Sequence, residues 1–312
     1  MGKYGQSHGQ ISTTNNFTEL FECPLTVDAY RAKILNSTHG DSITRKVALR
    51  KRFSMNRSLK KLLFFTVLTY LFAWSWWIPL LWKKIIVYPG QGWPTHLIGL
   101  TAPAISAIVL TAIFDRRTGL KDLWIRTKRL VPKKLSWGLI IITASCAFAP
   151  VILLKSVSVE DLTQYSGAPA IGIFGILIVL ILNGYGEELG WRGFLAEELL
   201  KNRSVAKTAF WIWLIWMPWH LPLFWVVASY RDMGLIGFLG WAVTIYFGSV
   251  FLTWLYVYNN NSVLMVVLWH VAYNYAVATD AAVGMTASIV SSGVIFIAIW
   301  VMRRPEESRN RV

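Results

Sequence analysis

The chain has 312 residues, of which 55% are hydrophobic and only 15% charged, and its net charge is +15. A soluble domain carries roughly a quarter charged residues, so this composition excludes an ordinary soluble protein. The excess of lysine and arginine flanks apolar blocks instead of forming a basic surface interleaved with aromatics, which excludes nucleic acid as a partner. Cys23 and Cys146 are the only cysteines, one in a polar stretch and one in an apolar run, so neither a disulfide framework nor a four-thiolate metal site is available.

Residues 1–60 are polar and end in a basic run from Arg45 to Lys61, which reads as a largely disordered cytoplasmic tail that could contact anionic lipid. Eight apolar segments follow at about 62–82, 95–114, 136–154, 169–186, 208–227, 234–258, 262–279 and 283–302, each of bilayer-spanning length. The expected fold is all-α and polytopic, with a membrane domain over 61–302 and a short tail over 303–312. With the amino terminus inside, 27 lysines and arginines fall on the cytoplasmic side and 4 on the other, which predicts a multi-pass cell-membrane protein with both termini cytoplasmic. Trp77, Trp82, Trp93, Trp137 and Trp300 stand near span ends and read as interfacial anchors.

Ionisable groups inside a span are costly enough to mark function. They are Glu187 and Glu188 at the end of the fourth span, His220 in the fifth, and His270 with Asn274 in the seventh. His96, Asp115, Asp232 and Asp280 lie at span ends or in loops and read as solvated, and Glu197 and Glu198 as surface charge. Glu188 and Arg192 at i and i+4 predict an ion pair on one helix face. Glu187, ~100° round the helix, is then the spare carboxylate, free to act as a base. His270 and Asn274, also four apart, share a face and point into the bundle. One carboxylate, two histidines and an amide on three helices predict a single site.

At these residues the chain resembles the CPBP family, the CAAX proteases and bacteriocin-processing enzymes also called Abi. The family pattern Glu-Glu-x-x-x-Arg, Phe-x-x-x-His and His-x-x-x-Asn is met by Glu187-Glu188-x-x-x-Arg192, Trp216-x-x-x-His220 and His270-x-x-x-Asn274. Trp216 in place of phenylalanine is the one departure, read as a packing change without chemical consequence. The resemblance implies an intramembrane endopeptidase, similar to type II CAAX prenyl endopeptidases, with eight helices around a cavity open to the cytoplasm. Glu187 and His220 would activate a water, His270 and Asn274 would face the oxyanion, and Glu188 with Arg192 would give structural support. No cofactor is required; a divalent metal such as zinc held by Glu187, His220 and His270 is the alternative. Partners would be membrane lipid and a peptide or lipid-modified protein substrate. Rival readings are a non-catalytic scaffold such as an immunity protein, and a proton-coupled transporter in which Glu and His form a relay.

Overall fold

The computed structural model describes residues 57–149, 152, 158, 160–168, 172–282 and 284–303. The expectations for residues 1–56 and 304–312 lie outside the described residues. The fold is an all-α polytopic membrane protein. Its main helices are α1 Arg57–Trp82, α2 Leu97–Phe114 with a turn at Thr101, α3 Arg116–Lys128, α4 Lys134–Cys146, α5 Ile173–Gly190, α6 Val205–Trp219, α7 Gly234–Tyr258, α8 Val263–Ala278 and α9 Met285–Arg303. By length and composition α1, α2, α7, α9 and the Val205–Val226 stretch can each cross a membrane, whereas α4 and α8 are shorter apolar helices. α3 is the polar connection between the second and third apolar segments.

Helix α1 shows how apolar-all-round sequences are divided between bundle and lipid. Phe65, Thr69, Ala73 and Trp77, each four residues apart, are fully buried, while Leu63, Phe64, Val67 and Leu71 are exposed. The i, i+4 stripe faces protein and the rest presents hydrocarbon to lipid. Trp77 is therefore a core residue and not an interfacial anchor: its indole donates to the His96 carbonyl at 2.8 Å and its ring covers Gly99. Trp82 and Trp93 do stand exposed.

Two glycines set the position of α5. A Cβ on Gly186 would stand 2.9 Å from the Leu100 carbonyl, and one on Gly190 would stand 2.3 Å from the Pro103 Cβ. Their bare face lets α5 lie against α2 at backbone contact. Beyond Gly190 the helix continues through a π-helical segment, Trp191–Ala196, into Glu197–Leu200. Such segments are rare and cluster at functional sites.

The end of the bundle carrying α3 and residues 191–204 is tied by buried charge. Lys61 bonds both Asp115 oxygens at 2.9 and 2.7 Å and reaches Glu198 at 3.2 Å. Glu198 also accepts from Ser58 and Lys201, both at 2.8 Å. Arg126, on α3, donates to the Gly193 carbonyl and the Tyr256 hydroxyl, and that hydroxyl donates to Glu197 at 2.7 Å. Glu198 is thus a buried network member and not a surface charge, while the half-buried Asp115 and Glu197 keep contact with solvent and each also meets a cation or donor from another helix. Burial alone would push the Glu198 carboxyl up, but hydrogen bonds from Lys201 and Ser58 and the charge of Lys61 hold it below the usual carboxylate range.

The opposite end is closed by single backbone bridges, Val87 with Val227, Pro89 with Ser166, and Tyr165 with Thr279. They join the connections after α1, before α5, after α6 and after α8 into a rim.

Candidate active site

A cavity of about 1080 Å³ runs from the middle of the bundle to that rim. Its inner end is formed by Glu187, Trp216, Leu252 and His270, and its outer end by Tyr165, Ser166, Ser229, Asp232 and Gly284. One side follows α7 from Ile236 to Leu252 and α9 from Ala287 to Ile295. Those two helices meet near their far ends, where the Trp254 and Trp300 rings contact, and leave the cavity between their first halves. Ile236, Leu239 and Val243 on this side are exposed.

The four residues singled out in the spans come to this cavity. Glu187, His220, His270 and Asn274 all line it, from α5, the end of α6 and α8. Glu187, His220 and His270 are 5%, 4% and 6% exposed, so each polar group needs a partner from the protein. Glu187 Oε2 accepts from the Trp216 indole at 2.8 Å. His220 Nδ1 lies 2.9 Å from the Trp216 carbonyl oxygen, so it carries the proton and leaves Nε2 with a lone pair. His270 Nδ1 lies 2.7 Å from Glu188 Oε1.

Glu188 is the hub behind this wall. It and Arg192 are fully buried, and Arg192 Nη1 donates to both its oxygens at 3.0 and 2.9 Å. The carboxylate therefore holds the guanidinium with one hand and orients the His270 ring with the other, a contact between α5 and α8 that an i, i+4 rule does not reveal. The guanidinium carbon sits 4.9 Å from the centre of the Trp216 ring, which continues the chain of contacts back to Glu187.

Sequence reasoning passed over four further residues. Trp216 was assigned to packing alone, but its N–H holds the Glu187 carboxylate. Asn183, one turn before Glu187 and 2% exposed, lines the cavity and donates to the Tyr165 hydroxyl at 3.4 Å. Its polar amide inside an apolar span was a readable signal. Burial pushes the Tyr165 hydroxyl up to about 12, which keeps it a neutral cavity-wall group. His96, read as a solvated loop residue, is 5% exposed and lines the cavity, and burial pulls its imidazole down to about 4. It is buried because the Gly167 turn, at a φ of +76°, lies directly against its ring.

Among the described residues no three His, Cys, Asp or Glu side chains come together closely enough to hold a metal ion. Glu187 and the two histidines line one cavity, and each bonds the protein through one polar atom and keeps its other one, Glu187 Oε1 or a histidine Nε2.

Known proteins carry the same segment. Residues 169–276 match the family model "Type II CAAX prenyl endopeptidase Rce1-like", a stretch that begins just before α5 and ends within α8. The chain is also 26% identical over 214 residues to the CAAX prenyl protease 2 of Methanococcus maripaludis, covering 64% of this chain and 77% of that protein. Over this segment the chain is similar to CAAX prenyl proteases. The matched segment contains Glu187, His220, His270 and Asn274, which line the cavity, and the Glu188–Arg192 pair behind them. The proteins it is similar to there are peptidases, which are hydrolases.

Proposed function

We propose that the chain is an intramembrane endopeptidase of the CAAX-prenyl-protease kind, acting on a lipid-modified or membrane-held protein with a water activated by Glu187 and His220. The observation that carries this reading is the convergence of Glu187, His220, His270 and Asn274 on one buried cavity, with Glu187 Oε2 bonded to Trp216 and Oε1 without a hydrogen bond among the described residues. Peptide hydrolysis needs a base beside a water, donors facing the carbonyl oxygen and a route for the proton to the leaving amine.

Glu187 Oε1 and the His220 Nε2 lone pair flank the water. As the water oxygen bonds to the scissile carbon, its proton passes to Glu187. The carbonyl electron pair collects on oxygen, facing the Asn274 amide and the Nε2–H of a protonated His270 ring, whose Nδ1–H Glu188 holds in place. Collapse of the tetrahedral intermediate breaks the C–N bond, and the proton held by Glu187 goes to the departing nitrogen. Preorganised donors in a water-poor site are worth several kcal/mol in such a transition state. Glu188 and Arg192 act by orientation and touch no reacting atom.

The apolar gap between the first halves of α7 and α9 suits a substrate carrying a hydrocarbon chain, since lipid and cavity meet there. A CAAX-type substrate is cytoplasmic, so this reading turns the rim with Tyr165, Ser229 and Gly284 to the cytoplasm and the basic end to the other face. The charge split argues for termini in the cytoplasm and the reverse orientation. For this bundle the two expectations exclude one another, because cavity mouth and basic end lie at opposite ends.

The test of the substrate is cleavage of a farnesylated CAAX peptide by the purified protein, compared with the same peptide unmodified. Faster cleavage of the farnesylated form is expected. Equal rates on both would remove the lipid-modified substrate, and cleavage of neither by folded protein would favour the scaffold reading.

A further inference from the structure

Trp216 hydrogen-bonds both halves of the proposed base, one through its indole and the other through its main chain. Its indole N–H donates to Glu187 Oε2 at 2.8 Å, while the carbonyl of the same residue accepts from His220 Nδ1 at 2.9 Å. Among the described residues it is the one side chain that hydrogen-bonds the Glu187 carboxylate. The ring itself is fixed on several sides: Trp216 is 5% exposed, the Arg192 guanidinium lies over its face at 4.9 Å, the Trp191 ring centre is 6.2 Å away, and His270 meets it edge-on at 6.4 Å.

We propose that Trp216 is a positioning residue for the peptidase reaction, whose indole N–H fixes which Glu187 oxygen faces the water. The inference rests on the proposed function of the site. The main-chain carbonyl that orients His220 would be supplied by any residue at this position. The N–H would not. Phenylalanine, which the CPBP motif places here, fills the space and keeps the ring contacts but has no donor. A buried carboxylate without a partner turns freely about its last torsion, because terminal sp³–sp² torsions are broad. With the indole bonded to Oε2, Oε1 is held toward the cavity and one geometry dominates before substrate arrives. Misplacing a reacting group by about 1 Å costs up to 100-fold in rate, so a donor that removes this freedom acts on turnover rather than on substrate affinity. Trp216 thus supplies, from α6, the restraint on an α5 carboxylate that Glu188 supplies for the α8 histidine.

The test has two arms on purified protein. In the first, the tryptophan indoles are observed by 15N NMR; the resonance lost in Trp216→Phe is that of Trp216. It is expected to move in Glu187→Gln, where the carboxylate acceptor is replaced by an amide, while other indole signals hold their positions. This arm needs no turnover, and an unmoved Trp216 resonance would overturn the inference. In the second, Trp216→Phe is expected to lower kcat by about 10- to 100-fold with KM within about twofold and an unchanged thermal midpoint. Wild-type kcat in Trp216→Phe would overturn the positioning role, as would a loss matched by a fall in thermal midpoint, which would mark a packing effect. Wild-type kcat in Glu187→Gln would refute the proposed function itself, and so separates the two failures.

Discussion

Replacing Glu188 by glutamine keeps the shape of the hub and removes its charge. In the native structure this carboxylate is fully buried and accepts from Arg192 Nη1 at 3.0 and 2.9 Å and from His270 Nδ1 at 2.7 Å. Glutamine retains one acceptor oxygen. It leaves the guanidinium, itself fully buried, without a counter-charge. Breaking a buried pair from one side costs about 3–5 kcal/mol, far more than the ~0–1 kcal/mol of a surface pair. For a domain of this size that corresponds to a fall of roughly 10 °C in the unfolding midpoint. Glu188→Gln is therefore expected to melt about 10 °C below wild type in detergent, by scanning calorimetry. The double variant Glu188→Gln/Arg192→Met, which leaves no orphaned charge, should recover much of the loss. A single variant within about 2 °C of wild type, or a double variant worse than either single, would refute the reasoning, since the pair could then not be a desolvated one.

Three other outcomes follow from particular contacts. Gly190→Ala puts a Cβ 2.3 Å from that of Pro103, so it should cost about 1–3 kcal/mol and lower kcat by shifting α5 and Glu187, read by melting and by peptide cleavage. His96 ionises near pH 4 in the folded chain against 6.5 unfolded, so the unfolded state binds the extra proton first. The unfolding midpoint should accordingly be flat above pH 6.5, fall as pH drops from 6.5 to about 4, and level off below; His96→Gln should lose that part of the slope, and an identical slope would contradict the burial of His96. In a Cys23→Ser/Cys146→Ser background, the proposed substrate requires that Asp232→Cys at the cavity mouth be labelled by a membrane-impermeant maleimide from the cytoplasmic side and Asn202→Cys from the other. The reverse pattern would uphold the charge rule and rule out cytoplasmic CAAX substrates.

Much of this was legible along the chain. Apolar run length located five helices long enough to cross a membrane among the described residues, because a 30 Å hydrocarbon layer imposes a minimum on each, but the third and seventh of the eight expected spans fold as the shorter helices α4 and α8. The Glu188–Arg192 spacing foretold their contact, since helix geometry alone brings i and i+4 together. The polar residues misplaced among lipid-facing sequence pointed to Glu187, His220, His270 and Asn274, all of which line the cavity. What the sequence hid depends on contacts between helices. Nothing in the spacing of Trp216 and Glu187, 29 residues apart, says that an indole on α6 meets a carboxylate on α5. His96 and Glu198 looked like loop charges because their burial comes from distant segments, the Gly167 turn in one case and Lys61 of α1 in the other. The direction of the cavity was equally hidden, since the connections that form its rim carry only Lys83, Lys84, Lys155 and Arg231 as basic residues.

The central claim is that Glu187 activates a water without a resident metal. The direct measurement is hydrolysis of a fluorogenic prenylated peptide by wild type and by Glu187→Ala, each with and without a chelator. The account predicts cleavage by wild type that is unchanged by chelator and a loss of at least 100-fold in Glu187→Ala with an unchanged unfolding midpoint. Chelator-sensitive cleavage by wild type, or near-native cleavage by Glu187→Ala, would contradict it.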